Sequence, residues 1–196
     1  RAHIRRSFRK RNRRFASLQG RSVYAYGGGG NLRHGVQFCV GNDEMKINII
    51  AIGKIKEKYF TDAIAEYLKR ASRFADVKVI ELPDAPQGKT PAEQQRIESE
   101  QLLSKAKGYI VAMDFRGKEF SSEQLADLIK TKCNDGESEF SFLIGGSHGH
   151  TDDLRSRANL VLSFGKPTFP HQLFRVMLCE QIYRLLSINA GLPYHK

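Results

Sequence analysis

From residue 45 onward, short apolar runs alternate with stretches whose apolar residues recur every three or four positions, the pattern of strands and helices in an α/β domain. Ile47-Asn48-Ile49-Ile50-Ala51-Ile52 reads as a buried strand stopped by Gly53. Phe60, Ile64, Tyr67 and Leu68 share one face of a helix over 57–73, and 77–82 supplies a second strand ended by Pro83. Thr90, Pro91 and Glu93 form an N-cap, a first-turn proline and a capping box for a helix reaching about Lys107. A third strand over 109–113 delivers Asp114 and Gly117 to a loop, and Ser121 or Ser122 caps a helix to about Cys133. The fourth strand, 140–144, runs into Gly145-Gly146-Ser147-His148-Gly149. A helical turn near 152–157, a fifth strand over 159–163 and a long helix over about 171–189 complete a mostly parallel five-stranded arrangement.

The last helix carries Leu173, Phe174, Val176, Met177, Leu178, Ile182, Tyr183, Leu185, Leu186 and Ile188, which cover more than one face. A surface helix needs a single apolar stripe, so the excess predicts burial on two sides, in the core or in a subunit interface.

Residues 1–44 lack either period. They hold ten basic residues and two acids, which accounts for +8 of the formal +11, and then run Tyr24-Ala25-Tyr26-Gly27-Gly28-Gly29-Gly30. This composition predicts a disordered basic leader, read first as sequence upstream of a domain over 45–196 that opens at Met45. An organellar transit segment and an RNA-binding arm are the other readings. The domain itself keeps only +3, so bulk charge does not identify an anionic partner.

Cys39, Cys133 and Cys179 are scattered and make no C-x-x-C pair, so thiols in a reducing compartment are expected. No apolar run approaches the ~20 residues of a membrane span. An intracellular, cytoplasmic protein follows, organellar if the leader is a transit segment.

Ligands of parallel sheets sit beyond the carboxyl ends of the strands. Three glycine-bearing loops stand there, 113–117, 145–149 and 165–170, and glycine lets backbone approach a ligand closely. Gly145-x-Ser147-x-Gly149 also matches the nucleophile elbow of the α/β-hydrolases, but that elbow opens directly into a helix and this one does not. His148 and His150 lack partners for a metal set and read as solvent-facing loop histidines. Glu180 and Arg184 have the spacing of an intrahelical ion pair, and Tyr194-His195-Lys196 joins an aromatic, a titratable ring and a cation suited to a base and a phosphate.

Taken together, Phe142-Leu143-Ile144-Gly145-Gly146, Thr168-Phe169-Pro170-His171-Gln172-Leu173 with Arg175, Glu180-Gln181-Ile182-Tyr183-Arg184 and Pro193-Tyr194-His195-Lys196 resemble the RlmH family. These are SPOUT-class methyltransferases of large-subunit ribosomal RNA, and the resemblance spans 45–196. It implies a five-stranded α/β fold with a C-terminal trefoil knot, a homodimer and S-adenosylmethionine as methyl donor. The acceptor it implies is N3 of a pseudouridine in the assembled ribosome, with no metal and no membrane involved. By that likeness Met113, Gly145, Gly146, Gly165, Lys166, Pro167, Thr168, Phe169 and Pro170 hold the donor. His171, Tyr194 and His195 serve catalysis, while Arg175, Arg184 and Lys196 meet RNA, with Glu180 near the subunit boundary. Lys166 departs from expectation, since an inward cation would oppose a sulfonium, and it is expected to point to solvent. A SPOUT enzyme acting on transfer RNA and a non-catalytic ribosome-binding module are the rival readings.

Overall fold

Two side-chain periods in the strands explain how one sheet comes to be covered on both faces. In a computed structural model, the structure describes residues 44–195. The expectations placed on the leader, on Cys39 and on Lys196 lie outside those residues. In chain order the elements are β1 Lys46–Ile52, α1 Lys58–Ala71, β2 Asp76–Leu82, α2 Pro91–Lys105, β3 Tyr109–Glu119 and α3 Ser122–Asn134. Then follow β4 Glu139–Ile144, α4 Asp152–Arg157, β5 Leu160–Ser163 and α5 His171–Asn189. The strands lie in the order β2-β1-β4-β3-β5, and every pairing is parallel.

Alternate residues of each strand serve different layers. Ile47, Ile49 and Ala51 with Phe140 and Phe142 pack against residues of α1, α3 and α5, whereas Ile50, Ile52 and Leu143 pack against Leu102 of α2 and Leu154 of α4. Burial on both faces is why these strands read as unbroken apolar runs rather than alternating ones. The helix starts follow local chemistry: Thr90 and Glu93 close a capping box on α2, Ser121 and Gln124 close another on α3, and Thr151 caps α4.

On α5, Leu178, Cys179, Ile182, Leu185 and Leu186 are buried in the core cluster, while Phe174, Val176 and Tyr183 are only partly covered. The two-sided apolar pattern therefore divides between a core side and a half-open side.

One expectation changes. Residues 114–119 are not a loop: β3 continues through Glu119, with a shift of register against β5 between Met113 and Lys118. Gly117 permits that crossing, since a Cβ there would stand 2.6 Å from the Val161 backbone. Polar Asp114, Arg116 and Lys118 hid this extension, because its pairing is made by backbone and needs no apolar run. Cys133 and Cys179 are buried thiols, and burial pushes the Cys179 thiol up to about 12, so it is protonated at neutral pH.

Candidate active site

The carboxyl ends of β4 and β5 meet the middle of β3, where its register shifts after Met113, at a cavity of about 320 Å³, within the roughly 300–1,000 Å³ of small-molecule sites. Met113, Ile144, Leu162, Phe164, Phe169 and Phe174 give it apolar walls, and the 145–149 and 165–169 loops supply its backbone. Phe174 of α5 packs on Phe164 at 5.2 Å and stacks on Phe169 at 6.2 Å between ring centroids, which fastens the 165–169 loop to the helix.

The 145–149 loop is tight enough to require its glycines. A Cβ on Gly145 would stand 3.1 Å from the Gly149 backbone, and one on Gly146 would stand 2.3 Å from Glu98 Oε2. Gly149 turns at φ +68° and Gly165 at φ +104°, where side chains bring strain.

Behind the loops lies a polar lattice that sequence reasoning missed. His150, expected to face solvent, is 1% exposed, and its Nε2–H donates to the carbonyls of Met113 at 3.1 Å and Leu143 at 3.2 Å. It thereby ties the middle of β3 to the end of β4. Burial lowers the His150 pKa despite the nearby Asp114 charge, so the ring is neutral at pH 7. Gln95 of α2 donates to the His148 and His150 carbonyls at 2.8 and 3.0 Å. Arg155 of α4 donates to the His150 carbonyl, to Asp152 and, at 3.0 Å, to Asp114. Burial alone would raise the Asp114 pKa, but the amide and guanidinium of Arg116 and the guanidinium of Arg155 outweigh it and hold the carboxyl below its ordinary range. None of these residues forms a spacing motif; only the capping Thr151 hinted that the segment after Gly149 was pinned.

Of the expected donor-site residues, Met113, Gly145, Gly146, Gly165, Pro167, Thr168 and Phe169 stand around this one cavity, and His171 joins them. Lys166 and Pro170 are exposed and outside its lining. At His171, desolvation by surrounding protein and the Arg175 guanidinium lower the pKa against the pull of Glu98 and Asp84, which leaves a neutral ring able to accept a proton. Phe115, 70% exposed, and Arg116, whose guanidinium lies 5.2 Å from the Phe115 ring, form an unanticipated rim.

Arg175 is a correction. Expected to meet RNA, it is 1% exposed and donates to Glu81 at 3.0 Å and to the Ile52 carbonyl. A guanidinium buried in this way ties α5 to the ends of β1 and β2 and presents no charge to a phosphate.

Arg184, Tyr194 and His195 gather elsewhere, none of them lining the cavity. Arg184 bonds Glu180 Oε1 through Nε at 3.0 Å, contacts His195 Nδ1 at 3.2 Å and lies 4.9 Å from the Tyr194 ring centroid. The Tyr194 hydroxyl donates to Glu180 at 3.1 Å, and burial with that bond pushes its pKa up to about 12. His195 Nε2 meets Glu123 at 2.6 Å, and Glu123, held chiefly by hydrogen bonds from Ser121 and its own amide and then by His195, sits at about 2.

The elbow motif meets no triad. Asp152 and Asp153 pair with Arg155 and Arg157, His148 bonds Gln94, and α4 starts only at Asp152. Among the described residues, no three His, Cys, Asp or Glu side chains gather as metal ligands would, and no helix is long and apolar enough to cross a membrane.

Residues 45–195 match the model of a family described as predicted SPOUT methyltransferases. A protein of Lactobacillus delbrueckii subsp. bulgaricus named ribosomal RNA large subunit methyltransferase H is 48% identical over 159 residues, 78% of this chain and 100% of the relative. Its namesakes from Lactobacillus helveticus and Carboxydothermus hydrogenoformans are 49% and 46% identical with the same coverage. Matched along their whole length and by the family model, the chain belongs to the SPOUT methyltransferase family, among the ribosomal RNA large subunit methyltransferase H proteins.

Proposed function

We propose that this protein transfers a methyl group from S-adenosylmethionine to N3 of a pseudouridine in large-subunit ribosomal RNA, within the assembled ribosome. The observation that carries the reading is the cavity between the ends of β4 and β5 and the middle of β3, glycine-floored and apolar-walled, in a chain of this family. The names of its relatives support large-subunit ribosomal RNA as the substrate class.

The residues present fit such a donor. Backbone amides and carbonyls of the 145–149 and 165–169 loops offer hydrogen bonds to its polar edges, while Met113, Leu162 and Phe169 cover its apolar parts. The first turn of α5 has no side-chain cap, which leaves N–H groups at the cavity margin suited to a carboxylate. When bound, a sulfonium donor supplies an electrophilic methyl group, so the protein's task is alignment and exclusion of water. Neutral His171 takes the imide proton from the acceptor base, directly or through a water. Tyr194, with its proton held to Glu180, is unsuited to that step; with Arg184 and His195 it offers a stacking face and donors to RNA. Fold threading through a trefoil knot and a homodimer using the half-open side of α5 belong to the same proposal.

Purified ribosomes, free ribosomal RNA and transfer RNA are incubated with methyl-labelled S-adenosylmethionine. Label in large-subunit RNA of intact ribosomes is expected, and label in transfer RNA alone overturns the reading.

A further inference from the structure

Glu98 of α2, whose charge also acts on His171, has a buried oxygen that neither the fold nor the mechanism uses. It is 6% exposed, and its Oε1 accepts the Ala85 amide at 3.1 Å, while Oε2 is buried without a hydrogen-bond partner. None of the ion pairs among the described residues includes it. Buried carboxylate oxygens are normally satisfied, because leaving one unmade costs the desolvation it has already suffered.

That oxygen is aimed at the cavity loop. A Cβ on Gly146 would meet it at 2.3 Å, so the Gly146 Cα hydrogen facing it makes a C–H···O contact, and the same glycine lines the cavity. Only one residue without a side chain separates the carboxylate from the cavity, in a setting where charge is poorly screened. The Arg175 guanidinium is engaged with Glu81 and the Ile52 carbonyl, and Lys166 is exposed.

We propose that Glu98 is a specificity-determining residue: its carboxylate, held behind Gly146, makes the cavity favour a cationic ligand over a neutral one of the same shape. For a methyltransferase the two ligands are the sulfonium donor and its demethylated thioether product, so the charge that attracts the donor holds the product no more tightly. This rests on the methyl-donor reading above. Gly146 is then required twice, once for loop geometry and once to let the charge approach.

Calorimetry at one ionic strength, with S-adenosylmethionine and S-adenosylhomocysteine as probes, tests it on the intact protein and on Glu98→Gln. The amide keeps shape and the Ala85 bond but removes the charge. Donor affinity is expected to fall roughly fivefold while product affinity stays within about twofold, since only the cation feels the lost charge. Glu98→Asp, which keeps the charge but withdraws it from Gly146, is expected to give a smaller loss of the same selectivity and serves if the amide variant does not fold. Equal losses for both ligands, or none for either, overturn the inference and leave the methyl-donor reading standing. Failure of the unmutated protein to bind either ligand overturns both.

Discussion

Around the cavity, position is set by backbone and by a buried lattice: glycines too tight for a Cβ, His150 clipping β3 to β4, and Arg155 clamped between Asp114 and the His150 carbonyl. At the far end of α5, position is set by partly exposed side chains, with Glu180, Arg184, Tyr194, His195 and Glu123 exchanging charges and hydrogen bonds. The first arrangement holds one geometry at almost any ionic strength. The second can trade each internal contact for a phosphate or a base at small cost, because exposed ion pairs contribute little to stability. A methyl-transfer enzyme needs both: a rigid seat for the donor and an adaptable face for a large RNA.

The contrast breaks first at Gly146. A side chain there leaves the backbone toward Glu98 rather than into the cavity, so Gly146→Leu displaces the whole loop. Donor affinity measured by calorimetry is expected to fall at least about a hundredfold, or ~2.7 kcal/mol, with the circular dichroism spectrum retained. An unchanged affinity would show that the loop does not shape the donor seat.

Removal of residues 194–196 acts on the other region alone. Methylation of ribosomes is expected to fall about a hundredfold, the scale of a misplaced substrate, with donor affinity within about twofold of the full chain. Normal turnover would strip the tail of its role.

Arg175→Ala separates structure from RNA contact. It leaves Glu81 without its buried partner, and a loss of about 3 kcal/mol in denaturant-measured stability is expected. Weakened ribosome binding at full stability would restore the sequence-based reading of this residue.

His150 gives the smallest effect. Its folded pKa lies below the ordinary 6.5, so the unfolded chain binds the extra proton as pH falls through that value, and stability declines from pH 7.5 to 5. His171, also lowered, adds to the same trend. His150→Gln is expected to reduce the slope of the denaturation midpoint against pH over that range; an unaltered slope would mean the ring is not the buried latch.

Most of the frame was legible because it rests on local rules. The capping box at Thr90, a cap at Ser121, one of the two serines read there, and the apolar runs of β1 and β4 all fall where period and cap chemistry put them. The cavity loops 145–149 and 165–169 were legible because glycines just beyond parallel strands let a ligand approach the backbone, whereas the glycine of 113–117 serves a strand crossing. What escaped has one physical cause: long-range pairing of polar residues. Nothing adjacent to His150 announces carbonyls 7 and 37 residues away, and Arg175 is 94 residues from Glu81. Among charged side chains on one helix, Arg184 and Arg175 look alike in sequence, yet one lies partly open beside the tail and the other is sealed in the core.

Crystals soaked in S-adenosylmethionine test the central claim most directly. The account predicts density for the donor between the 145–149 and 165–169 loops, against Met113 and Phe169, with Glu98 still behind Gly146. A cavity closed by side chains under saturating donor, or donor bound elsewhere on the molecule, would contradict it.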